Sequence, residues 1–161
     1  GAERLGQGAT GLHPWDEVAL SPTVRLIATP ARHGPDGGDR GPVIGFLLAT
    51  TGGPTLYVSG DTVWYEGVRA IGGRYRIDLA FLNLGAARVA VAGPAPLTFT
   101  AAEAVDLARA WPDTQVVPLH FEGWEHFSEG ADDVRRTFAL AGLSSRLVWL
   151  SPGARTELRR S

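Results

Sequence analysis

Thr55-Leu-Tyr-Val-Ser-Gly-Asp-Thr62 is the stretch whose reading decides the fold. Four residues of strand character, Thr55 to Val58, run into Ser59-Gly60, and a carboxylate, Asp61, stands where the strand gives way to a loop. Proteins that alternate strands and helices carry their chemistry at such points, because a rigid strand fixes the side chain that follows it. Gly60 has no Cβ, so a ligand can approach the backbone closely. Taken alone, Gly60-Asp61-Thr62 describes an ordinary turn whose Asp accepts local backbone hydrogen bonds. Two other stretches give it another meaning: Thr29-Pro-Ala-Arg-His33-Gly-Pro35 upstream, and Val116-Val-Pro-Leu-His120-Phe-Glu-Gly-Trp-Glu-His126-Phe127 downstream.

Working outward, Glu17 to Leu20 and Thr23 to Ala28 suit two short strands joined by a turn at Ser21-Pro22. The second strand delivers His33. Gly34 to Pro42 is a loop by composition, and Val43 to Ala49 is an apolar run of strand length that pairs antiparallel with the strand entering Asp61. Beyond Asp61, Val63 to Ile71 predicts a short helix stopped at Gly72-Gly73, and Asp78 to Leu84 a buried strand. Gly85 to Pro96 is a long loop able to fold over a site. Thr100 to Trp111 is a helix: Thr100 and Glu103 have capping-box spacing, Ala101, Val105 and Ala108 share one face, and Pro112 follows the end. Gln115 to Leu119 is a strand ending at His120. A further helix covers Ala131 to Ala141, with Val134, Phe138 and Ala141 inward and Gly142 as its stop, and Arg146 to Leu150 reads as a last strand. Hairpins first, then strands alternating with helices, predict a layered α/β (α+β) chain with a mixed sheet. The helices are too few to cover both faces, so they cover one.

The 161 residues make about one domain. A hydrophobic content of 44% with 20% charged residues excludes a disordered chain. The net charge of -2 gives no reason to expect nucleic acid or an anionic membrane as partner. No apolar run is long enough to span a bilayer and no signal-peptide pattern opens the chain, so cytoplasm is the expectation. Cysteine is absent, which excludes disulfides and thiolate ligands; any metal must sit on histidine and carboxylate. Methionine is absent too, which predicts that an upstream portion has been removed. All 15 basic residues are arginine, which with abundant Ala, Gly and Pro suggests a GC-rich bacterial genome.

His33, Asp61 and His120 each follow a predicted strand and each begin a loop. If those strands lie side by side in one sheet, imidazole, carboxylate and imidazole converge at one edge. Such a set suits a divalent ion, zinc first, with manganese and iron compatible. A carboxylate can also bridge two ions, and water on such an ion becomes a hydroxide nucleophile near neutral pH, which gives hydrolysis with Asp61 and His120 at the catalytic centre. A lone histidine after a strand is ordinarily capped or solvent-facing, and His13 is read so; His33 and His120 are distinguished only by their joint pattern with Asp61. Trp124 and His126, in the loop after His120, are candidate substrate contacts, set against a Trp packed under the loop beside a surface His. Glu122 and Glu125 are read as a solvated loop face. A serine-hydrolase reading fails, because Tyr57-Val-Ser-Gly-Asp61 is not a Gly-x-Ser-x-Gly elbow and Ser59 is too close to Asp61 for separate triad roles.

Several motifs together resemble the metallo-β-lactamase-fold hydrolases, in the branch similar to ascorbate-phosphate lactonase and N-acylphosphatidylethanolamine phospholipase D. They are Pro30-Ala-Arg-His-Gly-Pro35, Tyr57-Val-Ser-Gly-Asp-Thr62, Asp78-Leu-Ala-Phe-Leu-Asn-Leu-Gly85, Leu97-Thr98 before a helix, and Pro118-Leu-His-Phe-Glu-Gly-Trp-Glu-His-Phe127. The similarity covers nearly the whole chain. It implies an αββα sandwich of which this chain is the C-terminal portion, a dinuclear site with His33 completing one ion, His120 the other and Asp61 bridging them, and attack of metal-bound hydroxide on an ester, lactone or phosphodiester. That family's main metal motif, His-x-His-x-Asp-His, belongs upstream of the matching segment and is not among these residues. Residues 1 to 161 therefore read as one partial domain. The expectation is a small-molecule hydrolase that needs a complementing N-terminal half. The alternative is a non-catalytic half-domain that forms homo-oligomers, or pairs with another chain, through its uncovered sheet.

Overall fold

Short runs rich in β-branched, aromatic and other apolar residues form most of six strands: β1 (Glu17–Ala19), β2 (Val24–Pro30), β3 (Ile44–Thr50), β4 (Thr55–Val58), β5 (Leu79–Asn83) and β6 (Gln115–Leu119). Of three helices, α1 (Glu66–Arg74) connects β4 to β5, α2 (Ala101–Ala110) lies between β5 and β6, and α3 (Ala131–Leu140) follows β6. The computed structural model describes residues 8–37 and 40–158. The strands form one sheet in sequence order, antiparallel from β1 to β4 and parallel from β4 to β6. Two reversals return β4 to the direction of β2, so β2, β4, β5 and β6 all end at the same edge. That edge receives His33, Asp61 and His120. The three strands they follow are not neighbours, because β3 and β5 stand between them.

The mixed sheet carries its helices on one face, as expected. Ile27, Leu47, Tyr57, Ala80 and Val116 align in register across five strands, all fully buried. Val68 and Ile71 of α1, Leu107 and Ala108 of α2, and Val134 and Phe138 of α3 join them in one core. Tyr57 lies edge-on to Trp111 at 5.5 Å, and burial pushes its hydroxyl pKa up. The opposite face carries the row Ala28, Phe46, Val58, Phe81 and Val117. Phe46, Val58 and Phe81 there are only half-buried, and none belongs to the helix-covered core.

The cap of α2 is as predicted: Thr100 Oγ1 accepts from the Glu103 amide at 3.1 Å, and Glu103 accepts from the Thr100 amide at 2.9 Å. Two sequence expectations are corrected. The first helix begins at Glu66 rather than Val63, because the Val63 amide is tied to the Arg32 carbonyl at 3.0 Å, and it passes through Gly72-Gly73 instead of stopping there. Gly72 is a site of close approach, where a Cβ would overlap the Trp111 indole. Arg146 to Leu150 is not a strand. Ser144–Arg146 is a 3-10 turn whose Arg146 guanidinium binds the Trp111 and Thr114 carbonyls at the end of α2, leaving a single bridge from Leu147 to Val116. Trp149 then packs against Phe121 and beneath Arg135 rather than extending the sheet. No helix among the described residues is long and apolar enough to cross a membrane.

Candidate metal centre

Each residue at the shared edge is held by a contact that its own segment does not supply. Thr62 joins the loop after β4 to the loop after β2: its Oγ1 accepts from the Arg32 amide at 2.8 Å, and the neighbouring Val63 amide returns a bond to the Arg32 carbonyl. That double tie sets His33 beside Asp61. Ser59 is fully buried, its hydroxyl donating to the Gly60 carbonyl at 2.8 Å and accepting from the Asn83 amide at 2.9 Å. So engaged, it is a structural pin, in keeping with the rejection of a serine nucleophile. Asn83, the last residue of β5, then donates through Nδ2 to Asp61 Oδ1 at 2.8 Å and fixes the carboxylate plane.

His120 leaves β6 with φ 54, a left-handed conformation rare for a residue with a Cβ. The turn is held on two sides. The Leu84 amide bonds the Leu119 carbonyl at 2.9 Å, and the Phe127 ring meets the His120 imidazole edge-on at 4.8 Å. Gly85 makes this possible, since a Cβ there would lie 2.8 Å from both the His120 oxygen and the Phe127 ring.

The structure brings His33, Asp61 and His120 together, but not around one point. His33 Nε2 is 3.9 Å from Asp61 Oδ2, and His120 Nδ1 is 3.6 Å from Asp61 Oδ1. Neither is a hydrogen bond. Two ligand atoms on one tetrahedral zinc, each at 2.0 to 2.2 Å, stand about 3.4 Å apart, close to these separations. Each imidazole thus faces its own carboxylate oxygen, and among the described residues no group of three or more His, Cys, Asp or Glu gathers as a single site. The donor set fits two half-sites that share a carboxylate better than one three-ligand site. All three side chains are partly open to solvent, 23% for His33, 35% for Asp61 and 34% for His120, so an ion could enter without unfolding.

A cavity of about 330 Å³ opens beside them, walled by Ala87, Val89, Leu97 and Thr98 and completed by Arg40, Trp124 and His126. Trp124 is 66% exposed and so is not packed under its loop; its ring lies 5.8 Å from His126, which contacts Phe127 at 4.8 Å. The loop from Gly85 is fastened over this side by Arg88, whose amide donates to the His126 carbonyl and whose guanidinium binds Ser128 Oγ and the Pro94 carbonyl. Glu122 and Glu125 are exposed, and His13 is a surface residue bonded to Asp16. Sequence reasoning missed Asn83, Phe127 and Arg40. Asn83 carried a usable signal, a polar residue at the end of a buried strand aimed at the same edge. Arg40, inside a Gly-rich loop, carried none.

Residues 2–121 match the family described as Beta-lactamase superfamily domain. Among curated relatives, the chain is 34% identical over 118 residues to a UPF0173 metal-dependent hydrolase of Pyrobaculum aerophilum, covering 73% of this chain and 47% of that protein. It is 30% identical over 141 residues to a UPF0173 metal-dependent hydrolase of Methanoculleus marisnigri, covering 84% and 58% respectively. The chain spans about half the length of these relatives. Its fold matches an isothiocyanate hydrolase from Delia radicum gut bacteria with a TM-score of 0.79 and 20% identity, over 86% of this chain and 57% of that one. It also matches Igni18, a metallo hydrolase of Ignicoccus hospitalis, with a TM-score of 0.71 and 20% identity, over 94% and 62%. The chain therefore belongs to the beta-lactamase superfamily and has the fold of its metal-dependent hydrolases.

Proposed function

We propose that His33, Asp61 and His120 are this chain's share of a dinuclear metal centre in a hydrolase of esters, lactones or phosphodiesters. The observation that carries the reading is the carboxylate of Asp61, pinned by Asn83 and presenting one oxygen to each imidazole. Neutral imidazole and carboxylate suit zinc, with manganese or iron as alternatives. A divalent ion held there supplies Lewis acidity and lowers the pKa of water near the scissile group. The chain's own residues orient and enclose: Thr62 and Asn83 hold the donors in place, Phe127 fixes the His120 ring, and Trp124 with His126 forms the rim that meets substrate. Two donors per half-site fall short of the three protein ligands of a catalytic zinc site, so the remaining donors come from outside these residues, in a complementing N-terminal half. The half-buried row of Phe46, Val58 and Phe81, outside the helix-covered core, supports pairing of this face with that half, and the same row supports the second reading, a half-domain that self-associates without catalysis. We place the hydrolase in the cytoplasm of a bacterium.

Zinc titration in competition with a weak chromogenic chelator, on the chain and on His33→Ala, His120→Ala and Asp61→Asn variants, tests the assignment. The expected result is weak zinc binding in the parent, weaker in either histidine variant and none in Asp61→Asn. Zinc binding undiminished in Asp61→Asn would sink it.

A further inference from the structure

We propose that the cavity beside Asp61 takes a small substrate bearing an anionic group, a carboxylate or a phosphate, and that Arg40 is the residue that binds it. This rests on the hydrolytic reading of the site and names what the site acts on.

The backbone fixes Arg40 first. Its amide donates to the His33 carbonyl at 2.9 Å, so the residue stays beside His33 whatever rotamer its side chain adopts. Its guanidinium makes no ion pair or hydrogen bond among the described residues, in contrast to the other two arginines near this edge. Arg32 stacks on Tyr65 at 4.5 Å and approaches Asp36 at 3.8 Å, while Arg88 is bonded to Ser128 and Pro94. Arg40 is a wall of the cavity with its five donors available.

The cavity's charge points the same way. Among the described residues its only carboxylate is Asp61, already turned to His33, His120 and Asn83, and the other polar walls include three imidazoles, Thr98 and the guanidinium. Arg40 is the one permanently cationic side chain among the described residues of this wall, and a guanidinium fork matches carboxylate and phosphate oxygens in a bidentate way that a point charge does not. The opposite wall of Ala87, Val89 and Leu97 and the open ring of Trp124 favour an apolar or planar body attached to that anion. A volume of about 330 Å³ is at the small end for ligand sites, which confines the substrate to a compact molecule.

The test uses the whole chain, freed of metal by dialysis, with benzoate, phenyl phosphate and benzyl alcohol as probes. Nitrogen-edited NMR follows the Arg40 side-chain and Trp124 indole signals. We expect both anions to shift these signals and benzyl alcohol to bind at least about tenfold more weakly. Arg40→Ala should weaken the anions by about tenfold and leave the alcohol unchanged, with Arg40→Lys in between. The stronger anion, benzoate or phenyl phosphate, identifies which group the substrate carries. Equal binding of the alcohol, undiminished anion binding in Arg40→Ala, or no shift with any probe would overturn the proposal. Zinc titration of the same samples separates the two readings: metal binding without anion selectivity defeats this one alone, and anion selectivity without metal binding defeats the metal centre.

Discussion

Replacing Gly85 by alanine tests how the fold holds His120. Gly85 has φ +91, where an L side chain costs about 1 to 2 kcal/mol. The new Cβ would also sit 2.8 Å from the His120 oxygen and 2.8 Å from the Phe127 ring. Relaxation is restricted, because the Gly85 carbonyl accepts from the Ser128 and Glu129 amides at 2.9 and 3.1 Å. Overpacking of this kind adds about 1 to 3 kcal/mol, for a total of roughly 2 to 5 kcal/mol. Gly93 supplies the control. It has φ +81 and ψ -169 with nothing within 4 Å of its ideal Cβ, so Gly93→Ala should cost only the backbone part, about 1 to 3 kcal/mol for this nearly glycine-only conformation, with no overpacking added. Urea unfolding of the two variants, read at constant slope, gives the difference directly. The imidazole resonances of His120 should move in Gly85→Ala as Phe127 retreats, and stay in place in Gly93→Ala. Equal stabilities with an unmoved His120 would refute the argument that Gly85 and Phe127 together set this histidine.

Two further outcomes follow from single contacts. Asn83→Leu removes the donor to Asp61 Oδ1 and should weaken zinc binding by roughly 10- to 100-fold in competition with a chromogenic chelator; unchanged affinity would show that the carboxylate orients itself. Asp133 accepts from the Gly130 amide at the start of α3 and pairs with Arg136, which hold its pKa below the ordinary 3.8. A depressed folded-state pKa means that its contribution is present above the unfolded value and is lost as pH falls through the folded one. Thermal unfolding on the acid side should therefore be less pH-dependent in Asp133→Asn than in the parent, and identical slopes would remove Asp133 from the account.

Much of this was legible in the chain because it is encoded locally. The strand-favouring residues of Thr23 to Ala28 and Thr55 to Val58 mark strands, and the Thr100 and Glu103 pair marks a helix start, because these signals need only neighbours within one element. His33, Asp61 and His120 could be picked out because each follows such a strand. What the chain could not disclose lies in contacts between residues far apart. The interleaving of β3 and β5 follows from pairing partners, and the passage of α1 through Gly72-Gly73 follows from the Trp111 ring, 39 positions beyond Gly72 in sequence. The division of Asp61 between two histidines depends on Asn83, 22 positions away. The openness of Trp124 and the place of Arg40 depend on how two loops settle at one edge. Local pattern determines which residues can form an element, whereas register and side-chain aim are set by long-range packing, so the ligand types were readable from sequence and their arrangement belonged to the tertiary structure.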